Sequence, residues 1–206
     1  MIKYLWALII LGIGLNAQAA TPALRVGDIL LQPLYCWSCA LIEAEENSIY
    51  SHMGIVVQVT PEVLVAESWQ QVTLTPLETF KKKTEKNQAI LVRRYRNEAI
   101  TADFEKDEAR LSELLKKEFI GLKYDSDFLW HNLDASGNEQ LYCSEFVSKL
   151  LQAFLGIEGP IKRMVFKVNT ENWIRYFQGR PLPIGEWGNS PGDYEKSELL
   201  YSVGEL

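Results

Sequence analysis

Histidine and cysteine are scarce in this chain: two histidines, at 52 and 131, and three cysteines, at 36, 39 and 143, in 206 residues. With so few imidazoles the choice of a histidine base is narrow. A zinc site would have to draw on Cys36, Cys39, His52 and Cys143, which lack the regular ligand spacing of such sites. Long apolar runs are also missing. The stretch from Leu5 to Leu15 is too short to span a bilayer, which takes about 20 apolar residues. Positive charge is in deficit, 21 basic residues against 27 acidic, which argues against nucleic acid or anionic lipid headgroups as partners. There is no internal repeat, low-complexity block or linker to a second domain.

What is present begins with a leader. Lys3 is the only charge ahead of the Leu5–Leu15 run, and Ala17-Gln18-Ala19 has the small-x-small pattern of a signal-peptidase site. Residues 1–19 are therefore expected to be a signal peptide, without a following cysteine for a lipid anchor, and the protein to be periplasmic or secreted. Residues 20–206 suffice for one domain with a real core. Loss of the leader removes Lys3 alone among the charges, leaving a net charge near −7. In an oxidising compartment an odd cysteine count leaves one thiol unpaired. Cys36 and Cys39 are near enough to pair as a structural disulfide, which would leave Cys143 free. A thioredoxin-like redox pair is the other reading of Cys36-Trp37-Ser38-Cys39, though the surrounding order of hairpins and helices does not suit that fold.

The pattern predicts a turn followed by a strand over Val26–Gln32, and strands over Tyr50–Val59, Val63–Trp69, Val72–Leu74, Ala89–Tyr95 and Met164–Val168. Helices are expected from Cys36 to Glu46, from a Thr101 cap to Lys117, and around Trp173–Phe177, with a short one opening at Pro76. The Lys81-Lys82-Lys83 run reads as a solvated face. Tyr124–Gln140 reads as a long functional loop, and the chain after Pro181 as a loop ending in an acidic tail. From Leu141 to Leu155, the residues Phe146, Val147, Leu150, Leu151 and Phe154 form one apolar stripe at helical spacing, closed by Gly156. One turn before Val147 stands Cys143, in the first turn of that helix, where unpaired N–H groups favour a thiolate. A buried cysteine can also be only a small hydrophobe.

A thiol at a helix start beside a strand histidine is what nucleophilic thiol catalysis requires. His52 opens a strand; alone it could equally be a surface histidine. If Thr60-Pro61 is a two-residue loop, Glu67 faces Gly54 and lies diagonal to His52 on one side of the hairpin, within reach of its ring. His131 is a backup base. Glu145 fits the helix dipole but would oppose a thiolate if it pointed inward, so it has no catalytic role here. The Cys143 backbone N–H is a natural oxyanion donor, and Gln32 is a possible side-chain donor.

Taken together, Val26–Gln32, Tyr50-Ser51-His52-Met53-Gly54-Ile55, Ala66-Glu67 and Tyr142-Cys143-Ser144-Glu145-Phe146-Val147 resemble motifs of the circularly permuted papain-like (NlpC-type) amidases of the YaeF/YiiX group. Tyr124-Asp125 and Ser190-Pro191-Gly192-Asp193-Tyr194, followed by Ser197, match that group's later motifs. The resemblance covers nearly all of residues 20–206 and departs at Cys36–Cys39. It implies an α+β fold with an antiparallel sheet packed on the cysteine helix. It also implies Cys143 as nucleophile, His52 as general base and Glu67 as the orienting group, without a cofactor. The expected activity is that of a cysteine hydrolase acting on peptide or acylated substrates, cell-wall peptide amides first. Lipid acyl groups are the alternative, because the related lecithin:retinol acyltransferase-like proteins move them. A non-catalytic binding protein is the alternative from another class.

Overall fold

The computed structural model describes residues 22–106 and 108–206; the leader expected over residues 1–19 lies outside them. After a Val26-Gly27 turn the first strand, β1, runs Ile29–Gln32 and is followed by α1, Trp37–Glu46. Next come β2 (His52–Gln58), β3 (Leu64–Ser68), β4 (Val72–Pro76), α2 (Leu77–Lys81) and β5 (Leu91–Tyr95). Helices α3 (Glu98–Lys106) and α4 (Glu108–Leu114) lead into a π-helical turn, Leu115–Phe119. Two-residue strands β6 (Asn132–Leu133) and β7 (Glu139–Gln140) pair within the long loop before α5, Cys143–Leu155. The remainder comprises β8 (Lys162–Arg163), α6 (Thr170–Phe177), β9 (Trp187–Gly188), α7 (Pro191–Lys196) and β10 (Leu200–Glu205).

Six strands form one antiparallel sheet in the order β10-β5-β1-β2-β3-β4. Alternation along each strand divides its side chains between two cores. Ile29, Leu31, Met53, Ile55 and Ala66 face α5, whose stripe of Phe146, Val147, Leu150, Leu151 and Phe154 lies against them. Leu30, Val56, Val65 and Val92 face the opposite way and are covered by Phe80 of α2. Gly54 permits that cover, since a Cβ there would come within 2.6 Å of Val65 Cγ1. A third, aromatic core joins Phe128 of the long loop to Leu41, Tyr142, Phe166, Trp173 and Phe177. The α+β class, the antiparallel sheet and its packing on the cysteine helix are as expected.

Several local expectations are corrected. The long helix begins at Glu98, not at Thr101. Met164–Val168 forms no strand; only Lys162–Arg163, just before it, pairs, with β9. The stretch read as an acidic tail supplies α7 and the edge strand β10. Ser190 caps α7 by accepting from Asp193 N, and Pro191 occupies the first turn. The β2–β3 connection is longer than two residues, and a bulge between Val56 and Gln58 absorbs the difference. Beyond that bulge Ile55 pairs with Ala66, so one step further Glu67 stands opposite Gly54, the predicted register.

Candidate active site

Cys143 is the first residue of α5 and His52 the first residue of β2. Strand alternation puts His52, opposite Gln32, and Glu67 on the Phe80 side of the sheet, whereas α5 packs on the other side. Both elements start at the same open end of the sheet, and there the two sides meet: the imidazole lies beside the Cys143 side chain. His52 Nε2 lies 2.7 Å from Glu67 Oε2, which leaves Nδ1 for the sulfur. All three side chains are buried. The ring of Trp69 meets the imidazole edge-on at 5.3 Å and Phe80 lies 5.8 Å away. This fixes the ring plane as well as its hydrogen bonds.

Burial pulls the His52 imidazole toward neutrality, but its hydrogen bonds to Cys143 and Glu67 outweigh that and hold it above its ordinary value. Burial likewise pushes the Glu67 carboxyl up, yet His52, Lys83 and Thr75 bring it down to about 2. Cys143 is a free thiol. Beside it is the Tyr124 phenol, held protonated well above its usual range by burial and then by the charge of Cys143. Asp125 anchors the loop that carries Tyr124 by accepting from Asp127 N, Leu129 N and Asn132 Nδ2.

A cleft opens on these groups. On one side of Cys143 it is walled by Ile42, Phe128, Met164, Phe166 and Trp173; on the His52 side by Leu34, Trp69, Tyr176 and the Cys36–Cys39 segment. Cys36 and Cys39 are joined by a disulfide that closes the first turn of α1. The zinc reading of these cysteines is not met: among the described residues no group of three or more His, Cys, Asp or Glu is placed to hold an ion.

The other expected residues do not join the centre. His131 is 81 % exposed, and its nearest acidic group is Glu139, 3.9 Å away. Gln32 cannot serve as an oxyanion donor, because its amide donates to the Phe80 carbonyl at 2.7 Å and to Thr84 Oγ1 at 2.8 Å. Glu145 does point inward and is fully buried. Its Oε1 lies 2.8 Å from Lys149 Nζ, and Oε2 accepts from Tyr142 N at 3.4 Å. Burial outweighs that lysine and pushes the Glu145 carboxyl up to about 8. At neutral pH it is therefore uncharged and does not oppose a thiolate. The residue that sequence reasoning missed is Lys83, which turns inward onto Glu67. Nothing in the Lys81–Lys83 run distinguishes it from its exposed neighbours; the only signal is its place one turn past the buried Phe80.

A buried thiol at a helix start, tied to an imidazole that is tied in turn to a carboxylate, is an arrangement for acyl transfer. The model of the permuted papain-like amidases, YaeF/YiiX, C92 family, matches residues 23–179, and the chain belongs to that family of cysteine amidases and peptidases. An uncharacterised protein of Escherichia coli K12, YiiX, is 27% identical over 150 residues, which are 73% of this chain and 68% of that protein. The crystal structure of the metalloprotein YiiX from Escherichia coli O157:H7 superposes with a TM-score of 0.71 at 24% identity, covering 88% of this chain and 97% of the other. The latter shows the shared fold.

Proposed function

We propose that this chain is an exported cysteine hydrolase that cleaves an amide or ester through an acyl-thioester on Cys143, with Cys143, His52 and Glu67 as its catalytic triad. The contact between the only free thiol among the described residues and a carboxylate-bound imidazole carries the reading. His52 takes the thiol proton, and the sulfur adds to the substrate carbonyl. The imidazolium then returns the proton to the leaving amine or alcohol as the carbonyl re-forms. In the second half His52 takes a proton from water, hydroxide attacks the thioester, and the proton goes back to the sulfur. Such proton transfers contribute roughly 10²–10⁴-fold. The Cys143 N–H and the protonated Tyr124 hydroxyl are the donors for the tetrahedral oxyanion.

Residues 20–206 form the hydrolase domain and residues 1–19 the signal peptide of a periplasmic or secreted protein. The Cys36–Cys39 disulfide supports an oxidising compartment, and no helix among the described residues is long and apolar enough to cross a membrane. Cell-wall peptide amides are the favoured substrate class for such an enzyme, and the acidic balance disfavours nucleic acid. The apolar walls beside Cys143 favour a second reading, the acyl chain of a lipid. One solved neighbour is titled a metalloprotein; the donor set here, with Cys36 and Cys39 joined to each other, does not fit an ion.

Iodoacetamide should alkylate Cys143 faster than a model thiol at pH 6, and His52→Ala should abolish the difference. Mass spectrometry of cell-wall peptides and of acylated lipids after incubation then identifies the bond cleaved. Equal alkylation of both forms, with no product from either class, leaves a binding protein.

A further inference from the structure

Glu67 has more partners than an orienting carboxylate requires. Besides His52, both of its oxygens accept from Lys83 Nζ, Oε1 at 2.6 Å and Oε2 at 2.5 Å, and Thr75 of β4 lies beside it as well. The Lys83 side chain is only 23 % exposed. Its ammonium lies over the Trp69 ring at 4.8 Å and the Phe80 ring at 5.1 Å. Those are the two rings that flank the His52 imidazole. One aromatic slot thus holds an imidazole and an ammonium against the same carboxylate. Drawing a lysine out of water and fixing its long side chain is costly, and the end of a five-residue surface helix does not demand it.

We propose that Lys83 is a positioning residue of the active site: it clamps both oxygens of Glu67 and cancels the carboxylate charge, so that His52 is oriented by a carboxylate yet faces a neutral pair. The inference rests on the reading of Cys143 and His52 as the catalytic couple. A lone carboxylate 2.7 Å from an imidazole stabilises the imidazolium strongly. That would make His52 a poor acid for the leaving group, and general acid–base catalysis works best when the group's basicity lies near the working pH. With Lys83 in place the Glu67–Lys83 pair holds the ring as an amide side chain would, while remaining a stronger acceptor. The ionisable groups facing His52 are Cys143 and Glu67, those facing Glu67 are His52 and Lys83, and Tyr124 faces Cys143.

The test is a proton NMR titration of His52 in the full chain carrying Cys143→Ser, which removes coupling to the thiol, and His131→Asn, which leaves one histidine signal. Adding Lys83→Met should raise the His52 midpoint by about one pH unit, and Lys83→Arg should return it to within a few tenths. Should Lys83→Met fail to fold, Lys83→Gln keeps a donor to Glu67 without the charge and carries the same expected rise. A folded Lys83→Met or Lys83→Gln protein whose His52 titrates at the unsubstituted midpoint overturns the proposal. Alkylation of Cys143 that ignores His52→Ala would overturn the catalytic reading instead, and it leaves this titration as it stands.

Discussion

Two buried carboxylates sit near the Cys143 thiol, and they have opposite fates. Glu67, on β3, is 1% exposed; Glu145, in the first turn of α5, is 0% exposed. Each has a lysine within 2.8 Å. Yet one is held at about 2 and the other pushed up to about 8. The loss of water is the same on both sides, so the partners decide. Among the described residues Lys83 gives its ammonium to no acid but Glu67, and His52 and Thr75 complete the shell. Lys149 is shared with Glu139 and with the Trp130 carbonyl, while Asp125 and Glu139 add like charge. A buried acid stays ionised when its donors are undivided, and that arrangement lies on the His52 side of the Cys143 thiol.

The comparison breaks most visibly at Glu67. Glu67→Ala should lower the rate of the hydrolysis by about 10²–10⁴-fold, measured as turnover of whichever substrate class is cleaved; a loss below tenfold would make the carboxylate a bystander. Next in size is acid stability. The Glu67 carboxyl is lower in the folded chain than in the unfolded one, so its contribution is complete above about pH 4.5 and is lost as the pH falls toward about 2. A shift of that size corresponds to about 3 kcal/mol. Urea melts should lose that amount over this range, and Glu67→Gln should flatten the loss.

Glu145 gives the opposite slope. Its folded value is raised, so the folded chain holds the extra proton between about pH 4.5 and about 8, and stability falls as the pH rises through that window. Glu145→Gln should remove this decline in thermal melts while changing turnover by no more than about threefold; a large catalytic loss would assign Glu145 a part in the chemistry. The smallest effect belongs to His131→Ala, within about 0.5 kcal/mol of stability and without change in alkylation of Cys143.

The central sheet and the cysteine helix were legible because their signals are local. β2 carries a β-branched run and β3 begins on an apolar one, the α5 stripe has helical period, and Gly156 takes the left-handed conformation that ends it. Even the face shared by His52 and Glu67 could be read, since the bulge near the turn compensates for the longer loop. β10 could not be read: Gly204 and flanking charge dilute its pattern, and a bulge between Ser202 and Gly204 breaks its alternation. Lys83 was illegible for a different reason. Its role depends on the side to which one residue after α2 turns, and that is decided by Trp69 and Phe80 in space, not by its neighbours in the chain. Gln32 was misjudged by the same kind of distance, its amide being claimed by residues about fifty positions later.

Cys143 and His52 meet across about ninety residues of chain. A nascent or unravelled polypeptide therefore carries the sulfur apart from the imidazole and from the walls of the cleft. Only in the folded chain does the sulfur lie beside an imidazole, in a cleft that the Cys36–Cys39 segment also lines. The long separation makes the pairing of these two groups a property of the completed fold and of no shorter stretch of chain.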